Sequence, residues 1–162
     1  GLPVQQGENP PDHANRVAGL SETDETIPNP MDYLIGFILA LAVGISANAA
    51  GFDKDRSFYA TILVVIASYY LLFAAMAGSA SALALELIPF AGFSILAVLG
   101  ARRWPALVAL GLFLHGGFDV MHGHVITNTG VPAWWPGFCL AYDVTAGAYL
   151  LRLNQRRKKL AA

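Results

Sequence analysis

Between residues 31 and 153 the chain runs as five apolar stretches, each close to the length a helix needs to cross a bilayer core, separated by short polar turns. Apolar runs of that length specify helices, because in lipid every backbone N–H and C=O has to be bonded within its own segment. The expected spans are 31–50, 58–77, 81–101, 104–122 and 137–153. Pro89 lies inside the third and is expected to kink it. Pro105 opens the fourth, where its missing N–H costs nothing. The last span covers 17 residues and is expected to stand nearly upright. The fold expected is an all-α integral membrane bundle of five transmembrane helices, multi-pass in a plasma (inner) membrane of bacterial type.

Composition supports this and excludes several classes. Only 13% of the 162 residues are charged while 56% are apolar, against about 25% charged in a soluble domain. A formal net charge of -1 excludes a nucleic-acid binder working by charge, and the apolar content excludes a polar disordered chain. The single cysteine, Cys139, excludes a disulfide framework and a multi-cysteine zinc module. Residues 1–30 hold five acids (Glu8, Asp12, Glu22, Asp24, Glu25) and several prolines. They have neither a basic n-region nor an apolar h-region, so they are expected to be an irregular extracytoplasmic tail rather than a secretory signal.

The basic residues give the orientation. With five spans, nine of the ten Lys and Arg fall on one side: Lys54 and Arg56, Arg102 and Arg103, Arg152, and Arg156 to Lys159. Arg16 stands alone on the other. By the positive-inside rule the N-terminal tail is expected outside and the basic tail, 154–162, in the cytoplasm. The Trp134-Trp135 pair then falls at the outer headgroup level.

Within the spans lie Glu86, His115, Asp119 and Asp143, with His122 at the end of the fourth and His124 just beyond. Ionisable groups at membrane depth are costly and mark function by default. At 1.5 Å per residue, Glu86 stands about 8 Å below the outer end of its helix and Asp143 about 10 Å. Asp119 and His115 stand about 5 and 10 Å below His122 by the same rise. Three helices thus offer polar groups at one level of the outer half.

His115, Asp119 and His122 recur at i, i+4 and i+7, on one face of the fourth helix. Gly116 and Gly117 flank that face and are expected to admit a neighbouring backbone. Two imidazoles and a carboxylate are ligands suited to zinc or iron. His115, Asp119 and His122 are therefore the expected ligands of a divalent metal. Glu86 and Asp143 are the expected additional ligands, orienting groups or general bases. No Lys or Arg lies in the apolar body of any span, so the buried carboxylates need a metal ion, His or protons to balance them.

Plainer readings apply residue by residue. A single buried His or Asp often bonds across a helix interface. Cys139, one turn before Asp143, reads more readily as a packed thiol than as a ligand. Of Tyr69 and Tyr70, which point different ways, one is expected to face lipid. Ala40, Gly44 and Gly147 read as small-residue packing, Asn48 as a cap or packing residue, and 127–132 as an outer loop long enough to act as a lid.

The run from His115 to His122, followed by Val131-Pro132-Ala133-Trp134-Trp135-Pro136-Gly137-Phe138-Cys139 and Asp143, resembles small bacterial integral membrane proteins of uncharacterised function, over the last four helices. That resemblance implies a membrane fold and no activity. The intramembrane His and Asp constellation also resembles the membrane metal hydrolases that include alkaline ceramidases and the adiponectin-receptor group. Those have seven spans, a serine in the ligand set and histidines on other helices. This chain departs from them on each point, so their amidase activity does not carry over.

The function expected is a small membrane protein with a metal site in the outer half, acting as a metal-dependent hydrolase or oxidase on a lipophilic small molecule. The alternatives are a proton- or ion-coupled conduit or ligand-binding membrane module without metal, and an accessory subunit of a larger membrane complex. The expected partners are the lipid bilayer, a lipophilic small molecule, a second copy of the chain or a membrane subunit, and no nucleic acid.

Overall fold

The computed structural model describes residues 29–161. The expected irregular tail therefore lies outside the described residues, apart from Asn29 and Pro30. All the regular structure among the described residues is helical. Helix α1 is Pro30–Ala50, and it starts where the Asn29 side chain accepts the Met31 N–H at 3.0 Å. It stops at Gly51, whose φ of 77° belongs to the left-handed region that glycine adopts without strain. A single 3-10 turn, Phe52–Lys54, leads to α2, Arg56–Met76. Asp55 caps α2 by accepting the Ser57 N–H at 2.8 Å, and that backbone hydrogen bond holds its exposed carboxyl below the usual carboxylate range.

Helix α3, Ala80–Arg102, follows a turn at Gly78 and is capped by the Ser79 hydroxyl. It stays helical through Pro89. Helices α4, Ala106–Val125, and α5, Trp135–Ala161, complete the chain. Thus α4 runs past His122 to Val125, and residues 154–161 continue the last helix.

Helix α5 lies between α1 and α4, while α3 packs on α2 and meets α4. The seams are built from small residues. On α1 the buried face is Gly36, Ala40, Gly44 and Ala47, one stripe at helical spacing turned to α5. At the α4–α5 seam Gly116 lies against Leu140 and Asp143, and Gly147 against Phe113 and the Ala109 carbonyl. Gly117, also expected to admit a neighbour, faces open space. Large apolar side chains instead cover the outside of the bundle: Ile45 is 68% exposed, Ile88 71% and Met121 60%. An exterior so apolar suits hydrocarbon rather than water.

Four helices, α1 to α4, are long and apolar enough to cross a membrane, where the sequence suggested five. Helix α5 is long enough at 27 residues but falls short in apolarity. Asp143, Thr145, Tyr142, Tyr149 and Arg152 interrupt it, and four of the five residues 156–160 are Arg or Lys. Its polar character comes in part from the site it carries.

Candidate metal centre

Each helix contributes to the site through its buried stripe. On α4 the buried positions include Val108, Leu112, His115, Asp119 and His122, so the face expected from i, i+4, i+7 spacing is the face turned inward. On α3 the stripe runs Ala82, Glu86, Phe93, Ala97 and Gly100. Helix α5 brings Asp143 and Cys139, and α2 brings Tyr70. Glu86, His115, Asp119, His122 and Asp143 are all at most 2% exposed.

The polar groups sort into two clusters. In the first, His115 Nδ1 lies 2.7 Å from Asp143 Oδ2 and 3.3 Å from Asp119 Oδ2. Donor atoms of these three residues all fall within 4.8 Å of one another. The Tyr70 hydroxyl donates to Asp119 Oδ1 at 2.6 Å, which turns Oδ2 toward the imidazole. Asp119 Oδ2, Asp143 Oδ1 and His115 Nε2 are buried without a hydrogen-bond partner.

In the second cluster His122 Nε2 pairs with Glu86 Oε1 at 2.7 Å. The Asn128 side-chain amide donates to the same Glu86 oxygen at 2.9 Å and to the Tyr70 carbonyl at 3.1 Å. Glu86 Oε2 has no hydrogen-bond partner. Tyr70 joins the two clusters: its hydroxyl holds Asp119, its carbonyl holds Asn128, and its ring stacks on His122 at 4.0 Å between centroids. Phe93 meets the His115 ring edge-on at 4.8 Å and Phe118 meets His122 at 5.4 Å. These aromatic contacts lock the rings and keep water out.

The first cluster fits a divalent cation. Ligand atoms about 2.0–2.2 Å from a tetrahedral zinc stand about 3.3 Å apart, and His115 Nδ1 and Asp119 Oδ2 have that separation. Two carboxylates and an imidazole match a 2+ ion in charge and in donor chemistry. Asp119 Oδ2 and Asp143 Oδ1 are costly to bury unpartnered, and a cation bound by these carboxylates would satisfy them.

Residue by residue, His115, Asp119 and Asp143 come together, and His122 is turned instead to Glu86. Cys139 is buried and free, outside the group of three. His124 is exposed. Tyr70 enters the site, whereas Tyr69 is half-buried against Trp135, at 4.9 Å between ring centroids. The 127–132 loop does fold over the cluster, because Asn128 reaches down to Glu86 and Gly130 rests on the Phe73 carbonyl. Asn128 joins the site although its Thr-Asn-Thr-Gly loop carries no mark of depth in the sequence.

At the other end of the bundle Asp53, in the turn after α1, is buried. Its carboxylate accepts from Asn48 at 2.9 Å and from the Tyr149 hydroxyl at 3.3 Å, and Arg157 donates to its carbonyl.

Asn128→Ala is expected to cost about 1–3 kcal/mol, because it leaves buried groups on Glu86 and Tyr70 without their donor. Thermal unfolding in detergent checks this. A melting temperature unchanged from the parent would show that Asn128 holds nothing in place.

No family profile matches the chain, and comparison with curated proteins and with solved structures returned no match either. What the fold and site define by themselves is a helical protein with membrane-grade helices and a buried His/Asp group able to hold a metal ion.

Proposed function

We propose that this chain is a multi-pass membrane metalloprotein in which His115, Asp119 and Asp143 hold one divalent ion, zinc or iron. The observation that carries this reading is the convergence of three fully buried donors from two helices within 4.8 Å, with no Lys or Arg among them. Such an ion supplies Lewis acidity and an activated water. Around it Tyr70 orients Asp119, and the Glu86–His122 pair stands ready to take or give a proton. A lipophilic substrate reaching the cluster from the bilayer, past the loop that carries Asn128, is the natural class for hydrolysis or oxidation there.

In this reading α5 lies in the membrane with the other four helices, since it packs between α1 and α4 and carries a site residue. The basic end of the bundle faces the cytoplasm, in keeping with nine of ten Lys and Arg gathered there, and the membrane is the plasma membrane. Elemental analysis of detergent-purified protein tests the proposal. About one ion per chain, retained on dialysis, is the expected result, and less than about 0.2 per chain after reconstitution would overturn it.

A second reading has one observation in its favour. Hydrogen bonds join Asp143 to His115, Tyr70 to Asp119, and Asn128 and His122 to Glu86, and His115 Nδ1 comes within 3.3 Å of Asp119 Oδ2, so the groups lie close enough to form a proton relay. On that reading Asp119→Asn and Glu86→Gln each abolish a pH-dependent flux in liposomes, and intact flux in both removes it. Against a full pathway stand Leu63 and Leu112, wholly buried on the inward faces of α2 and α4 toward the basic end.

A further inference from the structure

At the end of the bundle opposite the buried polar cluster, a cleft of about 510 Å³ opens between the start of α2, the α3–α4 turn and the last turns of α5. Four cationic residues line it, Arg56, Arg103, Arg157 and Lys158, and its lining holds no carboxylate. Among the described residues none of the four makes an ion pair. Arg157 donates to the Asp53 backbone carbonyl, while the Asp53 carboxylate is taken up by Asn48 and Tyr149. The Arg157 guanidinium is therefore held in position with no carboxylate of the described residues at ion-pair distance.

Two further features fit the same ligand. Pro105 opens α4 with no side-chain cap, so the positive end of that helix dipole borders the cleft. The cleft is also firmly built at this point, because the Asn154 amide donates to the Pro105 carbonyl at 3.3 Å and ties α5 to the α3–α4 turn. Its flank is apolar, formed by Leu151 and by Trp104, which is 58% exposed at the level where an interfacial aromatic sits. A cationic pocket with an apolar flank, at the rim of membrane-grade helices, matches a molecule with a phosphate at one end and hydrocarbon at the other.

We infer that this cleft binds the headgroup of an anionic phospholipid, with the lipid phosphate among Arg56, Arg103, Arg157 and Lys158 and an acyl chain along Trp104 and Leu151. This goes beyond the metal centre and does not depend on it. The test is native mass spectrometry of the full chain titrated with phosphatidylglycerol or phosphatidylcholine. Phosphatidylglycerol is expected to bind the parent at least about tenfold more tightly than phosphatidylcholine, and Arg103→Gln/Lys158→Gln is expected to erase about tenfold of that binding. Arg56→Gln/Arg103→Gln provides a second variant with the same expectation. Arg102→Gln/Lys159→Gln, which removes two neighbouring cations outside the cleft, is expected to leave it within about twofold. Equal losses in the two sets would reduce the cleft to a diffuse basic surface and overturn the inference. So would equal affinity for the two lipids, or inorganic phosphate binding as tightly as phosphatidylglycerol.

Discussion

Replacing Asp143 by Asn is expected to weaken binding of the divalent ion by more than about 100-fold, since even partners outside the ligand shell are worth about 10–100-fold. The substitution keeps the size of the side chain and removes one negative charge and one strong oxygen donor from a group that has nothing else to replace them. Asp119→Asn is expected to do the same, with the Tyr70 hydroxyl still bonded to the remaining oxygen. His122→Gln provides the contrast. His122 is paired with Glu86, so this variant is expected to retain metal within about tenfold, the lower bound for a partner beyond the ligands. Titration of metal into detergent-purified variants, with helix content followed by circular dichroism, reads all three. Full metal in a folded Asp143→Asn protein would remove Asp143 from the ligand set. Loss in Asp119→Asn and His122→Gln, with full metal in Asp143→Asn, would restore a set drawn from α4 alone.

A large structural effect is expected at Gly36. A Cβ placed there meets the Phe138 carbonyl of α5, and backbone cannot step aside as a side-chain end can. Gly36→Ala is therefore expected to cost about 1–3 kcal/mol, the usual range for overpacking. Gly36→Leu is expected to undock α1 from α5 altogether. Gly92→Ala on α3 is the control, because nothing lies within 4 Å of its Cβ position and alanine favours the helix. Thermal unfolding in one detergent compares them. A Gly36→Ala protein as stable as Gly92→Ala would mean that α1 does not pack on α5 through this glycine.

Much of this arrangement can be read from residue spacing, and the rest depends on how helices rotate against one another. The inward face of α4 follows from its own sequence, because His115, Asp119 and His122 share a stripe whatever their neighbours are. The depth match of Glu86, Asp119 and Asp143 likewise follows from counting residues, and the structure brings all three into two adjoining clusters. Which histidine meets which carboxylate does not follow. It is decided by the angular positions of α3 and α5 around α4, set by seams such as Gly116 on Leu140 and Gly147 on Phe113. The choice between Tyr69 and Tyr70 is likewise one of rotation about the axis of α2.

Loops were harder to read. Asn128 and Asp53 are polar residues in connecting segments, where local sequence points to water, yet each is drawn inward by partners far away in the chain. The number of spans also differs, five from the sequence against four helices long and apolar enough to cross a membrane. Helix α5 falls short of the apolarity of the other four because it carries Asp143 and a basic end.

X-ray absorption at the metal edge of the purified protein tests the central claim most directly. The predicted spectrum has a first shell of oxygen and nitrogen at about 2.0–2.2 Å, multiple scattering from one imidazole, and no sulfur at about 2.3 Å. A sulfur shell would bring in Cys139, and two imidazoles would bring in His122. Either result, or an empty edge in protein supplied with zinc and iron, would contradict a centre made by His115, Asp119 and Asp143.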